Sequence, residues 1–133
     1  MLDFSLPPDS LPLFEKISEV LFDLGITPKY VGFSYSSFAI YLTIHQPDRL
    51  LLITKWLYPD VAKQFLTKWQ NVERGIRTVV AVAWELRPEK LSRIAKCNLT
   101  HKPTNAQFIA ILANHIQASE TTDTTLDPIT QIS

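Results

Sequence analysis

Polar side chains that can hydrogen-bond the edges of nucleic-acid bases are concentrated in one short stretch of the sequence. Arginine can bond guanine through two parallel contacts, asparagine or glutamine can do the same with adenine, and glutamate can accept a bond from cytosine. The residues are Gln70, Asn71, Glu73, Arg74, Arg77 and Thr78. The pattern also suits an ordinary solvated helix, in which Glu73 and Arg77 form an ion pair of about 0.3–0.5 kcal/mol. The stretch alone favours neither interpretation.

The helices that would position these side chains are predicted from the spacing of apolar residues. Pro59 starts a short helix, and a tight turn follows it. A longer helix over residues 70–85 then has one apolar stripe, formed by Val72, Ile76, Val79 and Ala83. Two helices joined by a tight turn are typical of a helix-turn-helix, whose second helix enters the major groove. Lys63 and Lys68 are then predicted to bind phosphate.

The rest of the chain also shows helical signals and no strand pattern. Gly25 can end the first helix in a left-handed conformation, and Thr104 with Gln107 matches a capping box at the start of the last one. The sequence therefore predicts an all-α, six-helix domain. Besides the two helices of the helix-turn-helix, helices are predicted at residues 13–24, 27–46, 88–96 and from 104 onward, and a short helical segment at 50–57 precedes the helix-turn-helix.

The domain boundaries are predicted from composition. Residues 1–10 contain a proline pair and no apolar period, and are predicted to form an N-terminal arm. Residues 11–117 are predicted to form the helical helix-turn-helix domain. Residues 118–133 are rich in Thr, Asp and Ser without a period, which predicts a disordered acidic tail.

The charges are unevenly distributed along the chain. The 133 residues include 13 Lys or Arg and 13 Asp or Glu, so the formal net charge is zero, which at first argues against a nucleic-acid binder. Residues 48–102 hold eleven bases and five acids, a net charge of +6, whereas residues 1–47 and 103–133 each sum to −3. A basic centre between acidic ends can mark a surface that faces a polyanion, although solvated helix faces explain the same charges. Zero net charge therefore does not exclude DNA.

Several classes of function are excluded by what the sequence lacks. Cys97 is the single cysteine, so no intrachain disulfide and no two-cysteine metal site can form. The sequence has no HExxH run, phosphate-binding loop or nucleophile elbow, so no catalytic residue, metal or cofactor is predicted and we do not expect an enzyme. The longest apolar stretch, residues 33–44, is shorter than the ~20 residues that a spanning helix needs. We expect a cytoplasmic protein with no membrane partner.

Separate blocks of the sequence resemble one known family. They are ITKWLYPDVAKQF at residues 53–65, NVERGIRTVVAVAW at 71–84 and KPTNAQFIAILANHI at 102–116, and FEKISEVLFDLGITPKYVGFSY at 14–35 is similar as well. These blocks resemble the C-terminal DNA-binding domain of the stage zero sporulation protein A family, the master response regulator of sporulation. The resemblance implies a six-helix, all-α domain that binds a double-stranded DNA operator through a helix-turn-helix.

The resemblance also implies roles for single residues. In the family, an arginine, a glutamate and two further arginines of the recognition helix contact bases or phosphates. The glutamate corresponds to Glu73, and the later arginines correspond to Arg74 and Arg77. Asn71 replaces the first arginine, so we expect the preferred operator to differ at one base or the affinity to be lower. Gly75 replaces an alanine at a cost of ~1 kcal/mol, which is expected to loosen the helix.

Two further departures from the family concern regulation. The segment between Trp84 and Lys102 is shorter than in the family and lacks its Phe-Gly, and this region of the family lies near surfaces that contact RNA polymerase. Activation through RNA polymerase is therefore the property that transfers least. The residues before Leu13 are too few for the receiver domain that begins the family's regulators. We expect control by aspartyl phosphorylation to be absent, unless the chain is a segment of a longer protein.

Two hypotheses remain open at this point. The first is a sequence-specific transcription regulator that binds double-stranded DNA, with homodimer formation on DNA and contact with RNA polymerase as candidate interactions. The second is a protein-interaction module that keeps the fold but has lost DNA binding or antagonises a related regulator. Asn71, Gly75 and the acidic ends motivate the second hypothesis.

Overall fold

The structure is a computed structural model that describes residues 10–125, with side chains over residues 10–119. This part of the chain contains six α-helices. The helices are α1 (Ser10–Asp23), α2 (Val31–His45), α3 (Tyr58–Gln64), α4 (Trp69–Leu86), α5 (Pro88–Ala95) and α6 (Asn105–Thr125). The predicted all-α fold is confirmed. Within residues 10–125, no helix combines the length and the apolar composition needed to cross a bilayer.

Helix α2 lies at the centre and contacts α1, α3, α4 and α6. Its residues from Tyr35 to Tyr41 are all buried, including the serines among them. A helix that is buried on every side, rather than along one stripe, is typical of the core element of a helical domain. Helices α1, α3, α4 and α6 therefore pack around α2, and α5 packs against α4 and α6.

Helices α3 and α4 are arranged as a helix-turn-helix. Residues 65–68 connect them, and the turn is closed by a hydrogen bond from the Thr67 amide to the carbonyl oxygen of Ala62, at 3.0 Å. Leu66 takes up the left-handed conformation that this sharp turn requires, with φ at 55°. The predicted apolar stripe of α4 is buried, and it consists of Val72, Ile76, Val79 and Ala83. The opposite side of the helix therefore faces solvent.

The crossing of α2 and α4 corrects the interpretation of Gly75. Gly75 is buried against Gly32, and the two helix backbones are in contact there. The sequence suggested that Gly75 loosens the recognition helix. The structure instead gives glycine a packing role, because the close approach of the helices leaves little room for a side chain.

Two segments before the helix-turn-helix differ from the prediction. Helix α2 begins at Val31 rather than at Thr27, because residues 27–30 form a separate turn with a hydrogen bond from the Tyr30 amide to the Thr27 carbonyl. The predicted short helix over residues 50–57 is a 3₁₀ turn (Pro47–Leu52) followed by a π turn (Ile53–Leu57) that runs directly into α3. An ion pair between Arg49 and Asp60 joins this segment to α3.

The predicted helix ends at Gly25 and Thr104 are confirmed. Gly25 has φ at 87°, the left-handed conformation expected after α1. The Gln107 amide donates to Thr104 Oγ1 at 3.1 Å, and the Thr104 amide donates to Gln107 Oε1 at 2.9 Å, which is the reciprocal capping box.

Both predicted terminal segments overlap a helix. Ser10, assigned from sequence to the N-terminal arm, is the first residue of α1, and α6 continues to Thr125, past the predicted boundary at 117. The rest of the arm, residues 1–9, and of the tail, residues 126–133, lies outside the described residues.

Candidate nucleic-acid interface

The outward face of α4 carries the side chains that sequence analysis selected. Gln70, Asn71, Arg74, Arg77 and Thr78 are exposed, and Glu73 is partly buried. Lys63 lies in the last turn of α3 and Lys68 directly precedes α4, and both are exposed. All the predicted residues therefore belong to one helix-turn-helix unit.

Asn71 connects the turn to Arg74. Its Nδ2 atom donates to Thr67 Oγ1 at 2.9 Å, and its Oδ1 atom accepts from Arg74 Nη1 at 3.1 Å. Both ends of the Asn71 amide are thus engaged within the protein. The guanidinium of Arg74 has five N–H donors and uses one of them in the contact with Asn71. Arg74 therefore keeps donors for a ligand. The contact orients the Arg74 side chain on the surface of α4.

Glu73 and Arg77 form an ion pair one helical turn apart. Arg77 Nη1 donates to both carboxylate oxygens of Glu73, at 2.8 and 3.0 Å. The Arg77 side chain is 57% exposed and that of Glu73 is 30% exposed, so solvent screens the pair and it stabilises the helix by only ~0.3–0.5 kcal/mol. The pair affects the interface in two ways. It holds the Arg77 side chain along the helix, and the Glu73 carboxylate offsets the positive charge of Arg77.

Thr78 is bound to the backbone of its own helix. Its Oγ1 atom donates to the carbonyl oxygen of Arg74 at 3.2 Å. Within the described residues, no side-chain hydrogen bond joins Gln70, Lys63 or Lys68 to the other predicted residues, although the backbone amide of Asn71 donates to the carbonyl oxygen of Lys68 at 3.0 Å. The structure therefore brings the predicted residues together as two pairs, Asn71 with Arg74 and Glu73 with Arg77.

Asn105 attaches the start of α6 to both helices of the helix-turn-helix. Its Nδ2 atom donates to Tyr58 Oη at 2.9 Å and to the carbonyl oxygen of Glu73 at 3.2 Å. Burial raises the pKa of Tyr58, and the hydrogen bond from Asn105 partly offsets this effect. The Tyr58 ring also stacks on that of Trp69, with centroids 6.3 Å apart and planes at 5°.

Sequence reasoning missed Asn105 and Tyr58. Asn105 lies inside the capping box, so its position was identified, but a contact across 47 residues of chain has no local signal. These residues fix the orientation of α3 against α4. They support the interface without being part of its exposed face.

The site contains no arrangement suited to a metal ion. Within the described residues, no three His, Cys, Asp or Glu side chains are close enough together to bind one. The chemistry available on this face is hydrogen bonding and charge, from Lys63, Lys68, Arg74 and Arg77 with Glu73 as the acceptor.

The sequence matches a model of a known protein family. The family model described as "Sporulation initiation factor Spo0A C terminal" matches residues 17–116. The matched range begins within α1 and ends within α6, and it includes the whole helix-turn-helix and every residue predicted for the site.

Proposed function

The chain belongs to the family of the Spo0A C-terminal domain, a family of DNA-binding effector domains, and we propose that it is a sequence-specific transcription regulator. In this proposal α4 enters the major groove of a double-stranded operator. Family membership supports DNA as the partner and a role other than catalysis. The observation that carries the proposal is the exposed face of α4, where the Asn71–Arg74 contact and the Glu73–Arg77 pair arrange two arginines side by side.

The side chains of this face have complementary roles in the proposal. Arg74 and Arg77 bond guanine edges, and Glu73 accepts from cytosine or keeps Arg77 in position. Lys63 and Lys68 bind phosphates and set the register of α4 on the duplex. Gln70 and Thr78 lie at the two ends of the face, where they contact bases or backbone.

Asn71 has two possible roles, and the structure favours one of them. Sequence reasoning gave it an adenine contact in place of the arginine of the family. Its amide is already bound to Thr67 and Arg74, so we propose that Asn71 acts by positioning Arg74 rather than by reading a base independently.

The proposal is tested by selection from random-sequence duplexes, followed by binding titrations of the selected duplex at two salt concentrations. We expect a defined operator, nanomolar affinity and a log–log salt dependence whose slope counts the phosphates engaged. The number of protein molecules bound to duplexes with one and two sites tests homodimer formation on DNA. Failure to enrich any sequence, with weak binding to all duplexes, contradicts the proposal.

A protein-interaction module is the second candidate, favoured by three exposed apolar residues that lie close together in the sequence. Leu51, Leu52 and Trp56 on the 3₁₀ and π turns are 77%, 47% and 42% exposed. Clustered apolar residues on a surface are a feature of protein contacts, such as those with RNA polymerase or a related regulator. This candidate predicts a stable protein complex without operator binding, so the same titrations separate the two functions.

A further inference from the structure

In the part of the chain that the structure describes, a cleft lies on each flank of α4. The Lys29 cleft lies between the start of α2 and α4, has a volume of about 570 Å³, and includes Lys29, Tyr30, Asn71, Arg74 and Thr78. The Lys102 cleft lies between α4 and the start of α6, has a volume of about 420 Å³, and includes Glu73, Arg77, Lys102, Thr104 and Asn105. Each cleft thus combines one arginine of α4 with one lysine from outside the helix-turn-helix.

The exposed face of α4 lies between the two clefts. Asn71, Arg74 and Thr78 have the i, i+3, i+7 spacing of one side of a helix, and Glu73 with Arg77 has the i, i+4 spacing of the next side. The major groove is ~12 Å wide and admits an α-helix of ~10–12 Å in diameter, with one phosphate strand on each side. A helix inserted there has a DNA backbone along each of its flanks, where these clefts lie.

We propose that Lys29 and Lys102 bind phosphates of opposite DNA strands, one on each side of α4. This inference rests on the proposed function, which it extends to residues outside the helix-turn-helix. Neither lysine was selected from sequence, because each is distant from α4 along the chain.

The charges around both lysines suit this role. The lining of the Lys29 cleft contains Lys29 and Arg74 and no acid, while in the Lys102 cleft the one acid, Glu73, is paired with Arg77. Both lysines are exposed, and Pro103 restricts the backbone of Lys102, the residue that precedes it. Lys29 Nζ also lies 5.4 Å from the centre of the Tyr30 ring, at the edge of the cleft.

The first test measures DNA affinity as a function of salt for the whole chain and for Lys29→Ala and Lys102→Ala. The probes are the duplex selected from the random library and an unrelated duplex of equal length. Loss of one phosphate contact lowers the log–log slope by ~0.9, which is about a five-fold loss of affinity at ~0.15 M salt. We expect this loss for each variant on both duplexes, because phosphates carry no sequence information.

Arg93→Ala is the matched control. Arg93 is an exposed cation on α5, in a pocket formed with α1 and α6, and it borders neither cleft. Its removal should leave the slope unchanged. An unchanged slope for Lys29→Ala or Lys102→Ala, or a loss confined to the selected duplex, overturns the proposal. Equal thermal unfolding midpoints show that the variants are folded.

The second test assigns each lysine to a strand. Single phosphates of the selected duplex are replaced in turn by uncharged methylphosphonates. One replacement should weaken DNA binding by the unsubstituted protein but not by Lys29→Ala. A second replacement, at another phosphate, should weaken binding by the unsubstituted protein but not by Lys102→Ala. The two positions should lie on opposite strands, and positions on one strand, or no such positions, contradict the proposal. If the unmodified protein binds no duplex, the proposed function itself is wrong and this inference with it.

Discussion

The α-carbon of Gly32 and the carbonyl oxygen of Gly75 are so close that a Cβ atom on Gly32 would lie 2.1 Å from that oxygen. The same Cβ would lie 2.8 Å from Cγ2 of Val79, on the next turn of α4. Backbone atoms cannot move aside as the end of a flexible side chain can. Gly32 therefore determines how closely α4 approaches α2.

Gly32→Ala is expected to lower the free energy of unfolding by about 1–3 kcal/mol, because the overlap forces α2 and α4 apart. Gly75→Ala should cost less. Its Cβ would meet the Tyr35 ring at 2.8 Å, but alanine regains up to ~1 kcal/mol of helix propensity. Urea unfolding measures both variants, with Ser34→Ala, an exposed substitution on α2, as the control. A Gly32→Ala protein as stable as the unsubstituted one contradicts this account.

The features that sequence reasoning identified are the local ones. Gly25 and the Thr104–Gln107 box were found because the residues that form a cap lie within a few positions of each other. The buried stripe of α4 was found because its period is that of a helix.

The features that sequence reasoning missed depend on contacts between distant segments. The role of Gly75 is set by Gly32 on another helix, and Asn105 is paired with Tyr58 across 47 residues. The irregular turns over residues 47–57 have apolar residues at helical spacing, so the pattern could not separate them from a regular helix. Periodicity reports which face is buried, but not which partner buries it.

Leu66→Gly is expected to stabilise the protein by about 1 kcal/mol, because leucine in the left-handed conformation is strained and glycine is not. Leu66 is 80% exposed, so little packing is lost. Lys96, with φ at 60° after α5, provides a matched comparison, and Lys96→Gly should give a gain of similar size. Thermal unfolding measures both, and a loss of stability in Leu66→Gly would show that the Leu66 side chain has a role in the turn.

Acidification is expected to destabilise the fold through His115. Burial lowers the pKa of His115 from its usual 6.5, and the positive charges of Lys96 and Lys90 lower it further. The unfolded chain therefore binds a proton at a higher pH than the folded protein does. The contribution of neutral His115 to the free energy of unfolding is fully present above pH 6.5, the usual pKa of histidine. It is lost as the pH falls through the lowered pKa of the folded protein.

His115→Gln removes this titration. We expect the free energy of unfolding to fall less for the variant than for the unsubstituted protein between about pH 7.5 and pH 5, since the difference reflects the proton bound by residue 115 alone. Urea unfolding at a series of pH values measures it. Parallel pH profiles for the two proteins contradict the prediction.

Arg74→Ala and Lys68→Ala are expected to weaken DNA binding in different ways. Loss of Arg74 should cost about 1–3 kcal/mol on the selected duplex and relax the sequence preference at one base pair. Loss of Lys68 should weaken all duplexes alike and lower the salt slope by ~0.9. Titration of both variants against the selected duplex and its single-base substitutions measures this. If Arg74→Ala binds the selected duplex with full affinity and selectivity, Arg74 does not contact a base and α4 is not the recognition helix.

Asn71→Ala separates positioning of Arg74 from direct contact with a base. If Asn71 acts by orienting Arg74, Asn71→Ala weakens operator binding when Arg74 is present but has little further effect in the Arg74→Ala protein. The coupling energy between the two substitutions should then be about 0.5–3 kcal/mol. Thr67→Val, which keeps the shape of residue 67 but removes the hydroxyl bonded to Asn71, should give a smaller loss in the same direction. If Asn71→Ala costs as much with Arg74 absent as with it present, Asn71 binds DNA independently, and the adenine contact suggested by its residue type is the better assignment.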